Sequence, residues 1–347
     1  MDSLFFGEHP CHVEKKCLGL LLENSVIITV RSDIGAGFRG SDQGITALLD
    51  LSTKSGISDK VEKRDCVVSF AEGFTSVYAK HIEKVLHICE AVCVEVCESI
   101  MSGQVPILIS GDHSSATGTI AGIKKAKPES RLGIIWVDAH ADLHSPFTSY
   151  SGNMHGMTLA ASLGMDNIAC LFRDPDKLTL DFWDCFKHIG GLSEKIRPSD
   201  IVYVTLRDLE EQESQIIEKY GIRNFTTKEL RDVKERVLGT LILEYLKDCT
   251  DIYLSFDTDS LEGSISKGTG LPVDNGMMPK EAEELIGVIL EDPKVICFEI
   301  TELNPSFDVN HATTTMVYHI LEKALSVLKY SQGRQAFLPT LRMNLSK

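Results

Sequence analysis

No apolar run in the 347-residue chain approaches the ~18–20 residues that a membrane-crossing helix requires, so a membrane partner is not expected. None of the 10 cysteines forms a Cys-x-x-Cys pair, which argues against a thiolate zinc site or a thioredoxin-like motif. Cations are scarce: 35 Lys and Arg against 50 Asp and Glu leave a net charge of −15, with no basic cluster to neutralise phosphates. A nucleic-acid partner is therefore not expected, whereas a basic small molecule would be attracted. No Pro/Gly/Ser-rich linker, internal repeat or low-complexity run divides the chain, which reads as one domain over residues 1–347. The amino terminus is acidic and interrupted, unlike a secretory leader, and a reduced, cytoplasmic chain is expected.

What is present suffices for a large core, with 43% hydrophobic and 24% charged residues. Cys89, Cys93 and Cys97 recur every four residues, the spacing of one helical stripe, where free cysteine acts as a small buried hydrophobe. Apolar strand candidates at Ser25–Val30, Ile107–Ser110, Leu132–Val137, Ile201–Val204, Ile252–Phe256 and Val295–Ile300 alternate with helical stretches. The helices are expected near Ile45–Leu51, Thr75–Met101, Gln212–Lys219, Lys228–Leu246, Lys280–Leu290 and His311–Leu328. That alternation predicts an α/β fold, a three-layer αβα sandwich around a mostly parallel sheet. The stretch from Cys170 to Ser199 has Trp183 and Phe186 among charged residues and is read as an amphipathic helix packed on the body.

The most informative segment is Gly133-Ile-Ile-Trp-Val-Asp138-Ala-His140-Ala-Asp142. In an extended strand, side chains at spacing two point to one side, so Asp138, His140 and Asp142 would converge at the carboxyl end of a buried strand. Open α/β sheets place their ligands at that edge. A second apolar strand ends in Asp257 and Asp259, and a third runs through Gly111 into Asp112 and His113. Four carboxylates and two imidazoles at one sheet edge carry too much negative charge to gather without cations, so two divalent metal ions are expected. A carboxylate-rich set without thiolate suits Mn²⁺, with Co²⁺ and similar ions also compatible.

The strings GDHSS, WVDAHAD, GNMHGM and SFDTD stand in the order and approximate spacing of the ureohydrolase superfamily, and the chain resembles its arginases from about Gly35 to Pro305. The resemblance implies the arginase/deacetylase fold, a binuclear centre that is usually manganese, and hydrolysis of L-arginine to L-ornithine and urea by a metal-bridging hydroxide. It puts His113, Asp138, Asp142 and Asp257 on one ion, and Asp138, His140, Asp257 and Asp259 on the other. Asp142 would also aim the nucleophile, Glu302 would hold the guanidinium, and His155 would return a proton to the leaving amine. Ser151, Asn153 and Asp208 match positions that read the amino-acid end, with Asp208 facing the α-amino group. His144, Glu210, Leu271 and Glu262-Gly263 depart from the usual arginase residues and resemble a divergent bacterial branch. Other guanidino or formimino substrates (agmatine, a guanidino acid, formiminoglutamate) would keep all six ligands, and an inactive metal-binding protein is the non-enzymatic alternative. A homo-oligomer is compatible with the resemblance.

Overall fold

Val, Ile and Leu crowd the six inner strands so densely that both of their faces are hydrophobic, which demands a sheet covered on two sides. The computed structural model describes residues 24–344 apart from 60 and 69–71, with side chains to 329. The acidic amino terminus, with Cys11 and Cys17, lies outside the described residues. The strands are β1 (Ser25–Val30), β2 (Glu62–Cys66), β3 (Val105–Ser110), β4 (Leu132–Val137), β5 (Ile201–Val204), β6 (Arg223–Phe225), β7 (Asp251–Asp257) and β8 (Val295–Thr301). They form one sheet in the order β2-β1-β3-β8-β7-β4-β5-β6, and every pairing in it is parallel.

Successive strand residues go to opposite cores. Ile107, Ile135, Leu254 and Ile300 lie on one face, while Leu108, Ile134, Trp136 and Tyr253 lie on the other. The helices are α1 (Asp42–Lys54), α2 (Ile82–Met101), α3 (Ala116–Ala126), α4 (Thr158–Leu163), α5 (Lys177–Lys187), α6 (Glu211–Tyr220), α7 (Thr227–Val233), α8 (Glu235–Tyr245), α9 (Pro279–Leu290) and α10 (Ala312–Asn344). Helices α1 and α7 to α10 pack on the first face; α2, α3, α4 and α6 pack on the second. None among the described residues is long and apolar enough to cross a membrane.

Several elements differ from the sequence reading. The helix expected from Thr75 begins at Ile82, because His81 takes a left-handed φ of 57° and the residues before it run along the Gly152 loop instead. The helix expected over Lys228–Leu246 is two helices, broken where Lys234 adopts φ 71°, ψ 164°. The Cys170–Ser199 stretch contains α5, whose Trp183 and Phe186 are buried against α2, as its amphipathic pattern implied. Cys89 and Cys93 are buried on α2 facing α3, where a Cβ on Gly118 would stand 2.4 Å from Cys89 O; only glycine allows so close a helix contact. The eight cysteines among the described residues are all unpaired.

One topological feature positions the site. Strands β3 and β4 are consecutive in the chain, yet β8 and β7 lie between them. The carboxyl ends of β3, β8, β7, β4 and β5 are thereby adjacent, and the sequence motifs end on these five strands.

Candidate metal centre and active site

The spacing-two residues leave their strands at one edge and meet. His113 Nδ1 lies 3.1 Å from Asp138 Oδ2, 3.1 Å from Asp257 Oδ2 and 3.2 Å from Asp142 Oδ2. His140 Nδ1 lies 2.9 Å from Asp259 Oδ2 and 3.6 Å from Asp138 Oδ1. Two groups are therefore able to hold an ion: His113–Asp138–Asp257 and Asp138–His140–Asp259. Of the two carboxylates expected to be shared, Asp138 is common to both groups and Asp257 falls in the first.

The donors fit a cation on an observation independent of the motif. His113 Nδ1 and Asp138 Oδ2 are buried, face one another, and make no hydrogen bond. Buried polar atoms are seldom left so, and a cation between them would satisfy both. Without one, the charges redistribute. Burial disfavours the imidazolium of His113, yet Asp138, Asp142 and Asp257 around it push its pKa well above the usual range. His140 is raised in the same way, against burial, chiefly by Asp259. Burial, with Asp138 nearby, pushes Asp259 up to about 6.

The surroundings hold these groups in place. His113 Nε2 shares a 2.7 Å hydrogen bond with the Ser255 hydroxyl, and its ring stacks on Trp136 with centroids 4.0 Å apart. When Nε2 carries the proton and donates to Ser255, Nδ1 is the lone-pair nitrogen turned to the carboxylates. Backbone amides of Ala139 and Asp259 donate to Asp259 Oδ1 and Asp257 Oδ1 at 3.2 and 2.8 Å. Asp142, Thr205 and Glu302, in the turns that follow β4, β5 and β8, take left-handed φ values of 52°, 66° and 62°. Such backbone is uncommon for these residues and persists where the surroundings enforce it, which is a recurrent mark of functional sites.

Glu302 and His155 form a second unit beside the ligands. Glu302 Oε1 accepts from His113 N at 3.0 Å and lies 3.0 Å from His155 Nδ1. Burial works against both charges, but each stabilises the other: Glu302 falls below the usual carboxylate range and His155 is pushed up to about 9. His155 therefore holds its proton at neutral pH.

A cleft of about 330 Å³ joins these groups to Ser151, Asn153, His144, Asp208 and Glu210, with Phe38, Thr269 and Leu271 as further walls. His144 Nε2 lies 3.1 Å from Glu210 Oε2 and 3.6 Å from Glu213 Oε2. Asp208 Oδ2 lies 3.6 Å from His140 Nε2 with 62% of its side chain exposed, so it touches the outer nitrogen of a metal-site imidazole as well as solvent. Sequence reading overlooked Ser255 and Glu213. Ser255 stands two residues before Asp257 on the same strand, so the period-two rule could have found it. Glu213 forms a capping box at the start of α6, with Glu210 N donating to its Oε2 at 3.2 Å and Leu143 N to its Oε1 at 3.2 Å.

Comparison with known proteins gives a consistent result. A model of the arginase family matches residues 23–326. An arginase of Bacillus caldovelox is 32% identical over 311 residues, covering 85% of this chain and 95% of the relative. The structure of the arginase from that organism superimposes with a TM-score of 0.75 at 30% identity, over 87% of this chain and 98% of the other. An Entamoeba histolytica arginase solved with L-ornithine gives a TM-score of 0.75 at 26% identity, over 87% and 98%. A Bacillus subtilis formimidoylglutamase shares the fold alone, with a TM-score of 0.68 at 18% identity over 88% of this chain and 87% of that one.

Proposed function

The chain belongs to the arginase family and is a hydrolase of the ureohydrolase type, and from that premise we propose that it hydrolyses the guanidinium group of L-arginine to L-ornithine and urea. The observation that carries this reading is the placement of two overlapping His/Asp groups and the Glu302–His155 pair in one cleft. His113, Asp138, Asp142, Asp257, His140 and Asp259 would hold two divalent ions, of which Mn²⁺ suits the donor set. Such a pair supplies a deprotonated water near neutral pH and polarises the bond under attack.

The remaining work falls to the protein. Glu302 Oε1 is taken up by His113 N and His155, which leaves Oε2 to pair with the cationic guanidinium and orient its carbon. Asp142 accepts a hydrogen bond from the attacking water and aims it. As the carbon–nitrogen bond breaks, His155 gives its proton to the departing amine, which leaves as the neutral side-chain amine of ornithine. Among the residues lining the cleft, Asp208 and Glu210 offer carboxylates to the α-ammonium, and Ser151 and Asn153 offer hydroxyl and amide donors to the α-carboxylate. That an Entamoeba histolytica arginase of the same fold was solved with L-ornithine supports an amino-acid ligand for this cleft.

The reading is tested by incubating Mn²⁺-loaded protein with L-arginine, agmatine, 4-guanidinobutyrate and formiminoglutamate while measuring urea, ammonia and formamide. Urea from L-arginine at the highest kcat/KM supports it; formamide from formiminoglutamate or preference for agmatine replaces it with another ureohydrolase activity. His155→Asn should lower turnover on the order of 10²-fold, the scale of one positioned proton donor, with two ions still bound. Metal analysis of the variant separates that role from a structural one. Asp208→Ala should raise the KM for L-arginine roughly tenfold and also weaken Mn²⁺ binding, because the carboxylate supports His140 from behind. Steady-state kinetics and Mn²⁺ titration check the two effects separately.

A further inference from the structure

The loop bearing Ser151 and Asn153 is clamped from outside by residues 75–81. Lys80 N donates to Gly152 O at 2.7 Å, and His81 N donates to Thr75 Oγ1 at 3.0 Å. Gly152 has φ +72°, and a Cβ there would stand 2.3 Å from Val77 O, so the two backbones meet only because the residue is glycine. Lys80 is thereby held at the rim of the cleft. Its ammonium donates to Asn153 Oδ1 at 3.1 Å, and no carboxylate among the described residues forms an ion pair with it.

That contact has a consequence for the cleft. A carboxamide has one oxygen acceptor and one nitrogen donor group, so occupying Oδ1 from the rim turns Nδ2 the other way. Asn153 Nδ2 lies where a Cβ on Gly37 would be 2.7 Å from it, and both residues line the cleft. The carboxylates of Asp208 and Glu210 line the same cleft. The head of an α-amino acid carries opposite charges on one carbon, and the cleft offers both signs: carboxylates at Asp208 and Glu210, and the Lys80 ammonium bound to Asn153.

We infer that Lys80 is a specificity-determining residue, which orients the Asn153 amide and adds a positive charge so that the site favours amidino substrates retaining an α-carboxylate over their decarboxylated counterparts. The inference rests on the cleft being the amidine-hydrolysing site described above. The full chain, loaded with Mn²⁺, is compared as wild type, Lys80→Met and Lys80→Arg with L-arginine and agmatine. Binding of L-ornithine and 1,4-diaminobutane to each is measured in parallel by calorimetry, which needs no turnover. In Lys80→Met, the ratio of kcat/KM for L-arginine to that for agmatine is expected to fall ~10-fold, mostly through the KM for L-arginine, with Lys80→Arg restoring most of it. A ratio within about twofold of wild type, or a parallel loss on both substrates, overturns the inference and leaves Lys80 as a buttress of the loop. If the wild type hydrolyses neither compound, the proposed function fails. Calorimetry then decides Lys80 alone: loss of ornithine preference in Lys80→Met supports the inference, and its retention overturns it.

Discussion

Stripping divalent metal with a chelator is expected to abolish urea release, a loss of more than about 10⁶-fold if turnover drops to the uncatalysed rate, and Mn²⁺ or Co²⁺ should restore it with two ions per chain. The reason is the charge at the sheet edge: Asp138, Asp142, Asp257 and Asp259 are all buried around two imidazoles. With metal removed, protons take up part of the compensation, as the upward shifts of His113, His140 and Asp259 indicate. Metal must displace those protons, so its binding should tighten as pH rises; on acidification it should weaken first as His113 and His140, both raised well above the usual imidazole range, take up protons, and further as Asp259 does so at about 6. Asp138→Asn should be more damaging than Asp142→Asn, because Asp138 alone serves both groups. Metal analysis and activity after exhaustive chelation check the set. Full activity in metal-free protein, or saturation at one ion, would contradict the binuclear reading.

Glu302→Gln should depress turnover by ~10²–10⁴-fold, since it removes guanidinium orientation and the charge partner of the proton carrier together. The second effect has its own signature. Glu302 raises His155, so its neutralisation lowers the His155 pKa from about 9 toward the usual imidazole value. A step that needs protonated His155 then fails at lower pH, and the alkaline limb of the rate profile moves in the acid direction. Metal content should stay at the wild-type level, because Glu302 belongs to neither ligand group. A uniform loss of rate with an unmoved limb would place Glu302 on the substrate alone.

How much of this was legible depended on whether the signal is local. The ligands after β4 and β7 are written at spacing two on apolar strands, so the strand period itself predicts their convergence. The outer partners required tertiary knowledge. Lys80 comes from a segment whose apparent continuity with α2 hid a left-handed break at His81. The edge strands were also invisible: β2 reads Glu-Lys-Arg-Asp-Cys and β6 is three residues long, and neither has a hydrophobic face to betray it. Helix α3 was missed for the opposite reason. Buried along most of its length between α2 and the sheet, it shows little amphipathic contrast.

The left-handed residues Asp142, Thr205 and Glu302 bear on more than the geometry of the cleft. Each costs ~1 kcal/mol or more relative to relaxed backbone, and the crowded carboxylates oppose folding in the same region. Ions that bind only the folded chain offset this by mass action, by ~4 kcal/mol at a free concentration a thousandfold above the dissociation constant. The melting temperature of this protein is therefore not a fixed property of its sequence. It is expected to gauge the free metal around it, rising as divalent ion is added and falling on chelation.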